Sequence, residues 1–218
     1  MKKHYLKKVF EPQSVAIVGA SDREDAVGGQ VLRNMLESGF KGVIYVVNSK
    51  HKKVHGLKTY PSISDIDHPI DLVVIAVKAK AIPKVMRECG DHGVGAAVVL
   101  SAGFAEVGKR GQFLQNEIVD IARTHDIPLV GPNCLGLIRP RVGLNASFAK
   151  SGVKTGKVAL VVDDNETNRK ILALQMAKWG MQVHDTESGA QALTLLQESS
   201  NRSVFDVAIL DMHMPEMD

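Results

Sequence analysis

Short apolar runs alternate along the chain with stretches of helical periodicity. The runs at residues 14–18, 43–48, 71–77, 96–101 and 128–130 are apolar at almost every position rather than every second one. A strand covered by helices on both faces reads that way, whereas a strand with one wet face alternates. Residues 28–38, 81–92 and 111–124 are the expected helices between them, since strands alternating with helical patterns make βαβ units. Gly39 and Gly93 sit where helix C-caps belong, because glycine takes left-handed backbone without steric penalty. Crossovers between parallel strands of one sheet are right-handed, so the pattern predicts an α/β, Rossmann-type, doubly wound parallel sheet.

The rhythm then breaks. Pro140, Gly143, Gly152, Gly156 and scattered basic residues predict an extended connector over residues 137–156. It resumes with strands at 158–162, 182–186 and 207–210 and helices at 166–179 and 188–198. The predicted organisation is therefore a Rossmann-type domain over 1–136, the connector, and a flavodoxin-like (βα) half domain over 157–218.

Composition narrows the function classes. The chain has 218 residues, 44% of them apolar and 23% charged, which is enough for a buried core. A net charge of +3 gives no electrostatic case for a nucleic-acid partner. Cys89 and Cys134 make no disulfide framework and read as buried free thiols. The opening Met1-Lys2-Lys3-His4-Tyr5-Leu6 has charge but no apolar run of signal-peptide length. No stretch reaches about 18 apolar residues, the length of a membrane span. No membrane partner and a cytoplasmic address are expected.

The first strand runs into Gly19-Ala20-Ser21-Asp22, then Gly28-Gly29 and a helix. A strand, a glycine turn and a helix N-terminus make an anion site, because backbone N–H groups and the helix dipole both point at it. The glycine spacing is not Gly-x-Gly-x-x-Gly, so the dinucleotide fingerprint fails. NAD sites also place a carboxylate at the end of the second strand. Here Asn48 is followed by Lys50, His51, Lys52 and Lys53. That basic cluster suits an extra ribose phosphate, as in coenzyme A or NADP; a solvated charge run is the plainer alternative.

Three segments carry a family resemblance. Phe10-Glu11-Pro12-Gln13-Ser14-Val15-Ala16-Ile17-Val18-Gly19-Ala20-Ser21, Leu100-Ser101-Ala102-Gly103-Phe104-Ala105-Glu106 and Gly131-Pro132-Asn133-Cys134-Leu135-Gly136 resemble the CoA-binding domain of NDP-forming acyl-CoA synthetases over about residues 5–157. The resemblance implies that Gly19, Ala20 and Ser21 meet the CoA phosphates and that Lys50 pairs with a phosphate of the adenosine end. It implies further that Val77, Leu100 and Ser101 line the adenine and pantetheine path, and that Pro132 and Asn133 close the thiol end. Val77 and Leu100 read equally well as plain core, and Asn133 as a turn cap. In those synthetases catalysis runs through a phosphohistidine and an ATP-grasp unit. None of the eight histidines lies in a matching segment, so no ligase activity is expected.

The second half places Val161-Val162-Asp163-Asp164-Asn165 after one strand and Asp211-Met212-His213-Met214-Pro215 after another. In a two-one-three strand order these strands are neighbours, and Asp163, Asp164 and Asp211 meet. Clustered carboxylates repel unless a cation binds, and hard oxygen donors select Mg²⁺. The pattern is similar to a response-regulator receiver domain. That resemblance makes Asp211 the phospho-acceptor, with Asp163, Asp164 and the His213 carbonyl on the metal. The sequence reads as stopping short of the receiver's Ser/Thr and Lys, so weak Mg²⁺ binding and little stable phosphorylation are expected.

The switch between the two resemblances falls inside the strand at 158–162. Recombination joins two Rossmann-like families there more readily than a frameshift does, so the sequence reads as an engineered chimera. The expected function is a module binding CoA or a related adenine nucleotide without turnover, joined to an incomplete phospho-receiver. The alternatives are a natural synthetase-like protein, a receiver-regulated signalling protein, and an NADP-dependent oxidoreductase. A bare third strand in the second half also predicts a homodimer.

Overall fold

The computed structural model describes residues 7–150, 158–178, 180–199, 205 and 207–211. The chain divides into two compact units, Met1–Gly152 and Val153–Asp218. Among the described residues, no helix is long and apolar enough to cross a membrane.

After a short helix α1 (Lys7–Phe10), the first unit runs β1 (Ser14–Val18), α2 (Val27–Glu37), β2 (Val43–Val47), β3 (Lys53–Val54), β4 (Leu57–Tyr60), β5 (Leu72–Ile75), α3 (Ile82–His92), β6 (Ala97–Val99), α4 (Lys109–Thr124) and β7 (Leu129–Val130). Its sheet has the order β3-β4-β2-β1-β5-β6-β7. Every pairing is parallel except the β3–β4 hairpin.

All five residues of β1 are buried, and the pleat divides them between two cores. Ala16, Val18, Val47, Val73, Ile75 and Val99 pack with Ile82, Met86 and Cys89 of α3 and Ile118 of α4. Val15, Ile17, Val46, Leu72, Val74 and Val98 pack with Val31, Leu32 and Met35 of α2. Each Val, Leu, Ile or Met among them contributes about 1.5–3 kcal/mol when fully buried, so a continuous apolar strand is what this position selects. Gly93 caps α3 in left-handed backbone with φ 72°, and its N–H donates to the carbonyls of Cys89 and Gly90.

Two hairpins depart from the sequence reading. β3 and β4 close around His55 (φ 49°) and Gly56 (φ 75°), so that Lys53, the last residue of the basic cluster, opens a strand. More importantly, residues 136–147 are not an extended connector. They form β8 (Gly136–Arg139) and β9 (Leu144–Ser147), paired antiparallel. Leu144 and Ala146 are fully buried in the α2 core. Asn34 on α2 donates from Nδ2 to the carbonyls of Ser147 (2.8 Å) and Ala149 (2.9 Å). The physical reason is a period-two pattern, Leu144 and Ala146 inward, broken up in the sequence by Pro140, Arg141 and Gly143. The hairpin therefore belongs to the first unit.

The second unit holds β10 (Val158–Val162), α5 (Glu166–Lys178), β11 (Gln182–Thr186), α6 (Gly189–Ser199) and β12 (Val207–Leu210). Its three strands are parallel in the order β11-β10-β12. Leu160 and Val162 pack with Ala192 of α6, and Ala159 and Val161 with Met176 of α5. Trp179, expected at the end of a helix, lies outside the described residues.

Candidate functional site

In the first unit the loops at the carboxyl ends of the parallel strands gather most of the expected residues. Gly19 follows β1 with φ +91°, and a Cβ there would lie 2.5 Å from the Ala76 carbonyl oxygen. Gly28, in the first turn of α2, is pressed on the same turn: its Cβ would lie 2.1 Å from the Gly19 carbonyl oxygen. Only residues without a side chain let the turn lie this close against the helix N-terminus. Ala26, the N-cap of α2, lends no side-chain hydrogen bond, so the first backbone N–H groups of the helix are donors for an anion.

The basic loop after β2 is tied to this turn at two points. Asn48 donates from Nδ2 to the Ala20 carbonyl (2.8 Å), and its Oδ1 accepts from the backbone N–H groups of Lys50 (2.8 Å) and His51 (3.1 Å). Asp22 accepts from the His55 N–H at 2.7 Å. Lys50, His51, Lys52 and Lys53 are exposed beside the turn. Ser21 is half-buried, while Ala20 is fully buried, so it can offer backbone only.

Three further strand ends are linked. Ser101 donates from Oγ to the Val77 carbonyl (2.5 Å), and its own carbonyl accepts from the Asn133 N–H (3.1 Å). The Gly131–Pro132 peptide is cis, and Asn133 has φ 54°. Val77, Ser101, Pro132 and Asn133 are half-buried. Leu100 differs: it is 4% exposed and its side chain belongs to the apolar core. Burial raises the Cys134 thiol above its ordinary range. Sequence reasoning missed Asp22 and His55, and it did not see Asn48 as a tie. Their partners lie tens of residues away, and no local spacing reports such pairs. A groove between α3 and α4, lined by Arg87, Phe113 and Glu117, lies elsewhere.

In the second unit the order β11-β10-β12 sets the ends of β10 and β12 side by side. Asp163, Asp164 and Asp211 each offer a carboxylate oxygen, all within 4.8 Å of one another. Asp163 is buried, Asp211 half-buried and Asp164 exposed. Asp163 Oδ1 accepts from the Asn165 N–H (2.9 Å) and from Asn168 Nδ2 (3.4 Å). Asn165 in turn accepts from the Thr167 and Asn168 N–H groups at the start of α5. An all-oxygen, carboxylate-rich set fits Mg²⁺, which keeps several waters besides one or two carboxylates. His213, expected to complete the set, lies outside the described residues.

Comparison with known proteins gives each unit relatives. Residues 13–140 match the CoA binding domain family, and residues 159–218 match the response regulator receiver domain family. The chain is 40% identical over 156 residues to the ADP-forming acetate–CoA ligase I of Archaeoglobus fulgidus, covering 72% of this chain and 22% of the ligase. It thus spans about a fifth of that relative's length. It is 43% identical over 72 residues to the probable histidine kinase 6 of Oryza sativa subsp. japonica, covering 33% of this chain and 7% of the kinase. The dinucleotide-forming acetyl-coenzyme A synthetase 1 of Ca. Korarchaeum cryptofilum, solved in complex with phosphate and ADP, superposes with a TM-score of 0.70 at 30% identity, over 97% of this chain and 46% of the synthetase. The receiver match is confined to the second unit, whereas the CoA-binding match takes in more than half of the chain, with an α/β fold to correspond: the protein belongs to the CoA-binding domain family.

Proposed function

We propose that the first unit binds coenzyme A, or a closely related adenine nucleotide, and holds it without turning it over. The turn of Gly19, Ala20 and Ser21, with the N-terminus of α2, receives the pyrophosphate. Gly19 lets the backbone come close while its own N–H donates to the Val47 carbonyl (3.0 Å), and the backbone N–H groups of Ala20, Ser21 and the first turn of α2 face the anion. Lys50 pairs with the phosphate at the adenosine end. Val77 and Ser101 border the pantetheine path, and Pro132 and Asn133 close its thiol end. The observation that carries this reading is the double tie between the glycine turn and the basic loop, Asn48 to Ala20 and His55 to Asp22. It fixes an exposed cationic run beside a phosphate-sized turn, which a merely solvated charge run would not need.

Calorimetric titration with CoA, NADP and ATP side by side tests it. CoA is expected to bind, and Lys50→Glu to weaken it by about 1–3 kcal/mol, the scale of a charged hydrogen bond. Tighter binding of NADP would favour an oxidoreductase. Failure to bind CoA at millimolar concentration overturns the proposal.

For the second unit we propose a phospho-receiver site, with Asp211 as acceptor and Asp163 and Asp164 holding Mg²⁺, which would neutralise the charge of an incoming phosphoryl group. The position of the join, within β10, supports reading the chain as an engineered recombination of the two families. A genome encoding the same join across β10 would overturn that reading.

A further inference from the structure

We infer that Arg169 is a positioning residue for the cation site, acting through the backbone carbonyls of Asp163 and Asp164. The inference rests on reading Asp163, Asp164 and Asp211 as that site. Arg169 stands in the first turns of α5, and its side chain is only 12% exposed. One guanidinium nitrogen, Nη1, donates to the backbone carbonyls of both Asp163 (2.8 Å) and Asp164 (3.1 Å). The opposite side of the same group reaches the end of β11: Nε lies 3.4 Å from Asp185 and Nη2 lies 4.0 Å from Glu187.

The planar fork of arginine makes this possible. Its donors lie in fixed directions and serve several acceptors at once, which a lysine ammonium on a flexible stem does not match. Here the fork clamps the loop between β10 and α5 from below, with its carbonyls turned to the guanidinium. Asp163 is also held at Oδ1 by Asn165 and Asn168, so backbone and side chain of the first aspartate are both fixed. Three carboxylates within 4.8 Å repel one another, and an unclamped loop relieves that by swinging Asp164 outward. The positive charge of Arg169 would itself oppose a cation. Asp185 and Glu187 balance that charge, so the clamp holds the aspartates together while the cluster keeps its negative potential.

Two explanations of Arg169 predict opposite signs. If it positions the loop, Arg169→Lys and Arg169→Gln both weaken the metal, by about 10–100-fold, the usual loss when a group orienting metal ligands is removed. If it only supplies nearby positive charge, Arg169→Gln binds the metal more tightly and Arg169→Lys matches wild type.

The experiment titrates the full chain with Mn²⁺, reads free Mn²⁺ by electron paramagnetic resonance, competes it with Mg²⁺, and follows folding by circular dichroism. Wild-type binding abolished in Asp163→Asn supports the site itself. Wild-type chain that takes up no Mn²⁺ overturns the site and the role of Arg169 together. Binding in wild type that is unchanged or tightened in both Arg169 variants overturns the positioning role alone. Should those variants unfold, Asp185→Asn frees one side of the clamp instead. A weakening that persists at roughly 0.5 M salt, where exposed charges are screened within a few ångströms, upholds the clamp; one that vanishes there overturns it.

Discussion

Cys89 lies fully buried on α3, and burial, with the neighbouring Glu88 carboxylate second, pushes its thiol up to about 12. In the unfolded chain the same thiol ionises near about 8.5. Between those two values the unfolded state has lost a proton that the folded state keeps. Stability then falls as pH rises, by about 1.4 kcal/mol per pH unit. Denaturant unfolding at a series of pH values should show that slope in wild type, and Cys89→Ala should lack this share of it. Equal slopes in the two proteins would disprove the assignment. The same burial predicts that Cys89 resists alkylation in the folded chain. At this scale the sequence was legible where one residue type answers one constraint. Gly19 and Gly28 are glycines because a Cβ would collide with backbone, and a glycine turn after a strand announces that. Asn48 was visible only as an end of a strand. Its three hydrogen bonds span a turn and a loop, and a pattern of apolar spacing has no means of encoding them.

Among elements, the strands with the plainest code were those buried on both faces. β1 and β10 begin and end where continuous apolar runs do, because two covered faces favour apolar residues at every position. The hairpins hid for the converse reason. β3 is two residues long, and β9 buries the polar Asn145 and Ser147 along with Leu144 and Ala146, so those residues, Arg139 and the turn at Gly143 dilute the signal. Besides the packing of Leu144 and Ala146, the β8–β9 hairpin is held to α2 by Asn34, a buried residue that satisfies two carbonyls. Asn34→Ala leaves both carbonyls without that donor, and thermal unfolding should report a loss of about 1–3 kcal/mol, the penalty for stranded buried polar groups. An unchanged midpoint would mean that water replaces the amide.

For the whole molecule, the two family signatures could be read directly, since several ordered motifs carried each. The boundary could not, because the residues of the hairpin resemble those of a linker in composition and differ from them only in what they bury. Association is the property that follows at this scale. Among the described residues β12 forms one edge of the second sheet, and its sequence Val-Ala-Ile-Leu has no charge. An apolar edge with unpaired N–H and C=O groups is a template for another strand. Light scattering at high micromolar concentration should find a dimer, and Ile209→Lys should return it to monomer. A clean wild-type monomer would refute this.

The register of β3 against β4 sets Lys53 directly opposite Lys58. Two like charges facing each other across a ladder weaken the pair slightly, yet they also forbid any foreign strand from laying itself alongside. β7 has only two residues, and β11 carries Gln182, His184 and Asp185. Among the described residues, three edges of the seven- and three-stranded sheets are thus blunted by charge, polarity or brevity. Two copies that pair through β12 leave only these blunted edges of the two larger sheets, among the described residues, to face a third copy. The lysine pair therefore helps decide the topology of assembly: a closed couple with two-fold symmetry rather than an open, growing fibre.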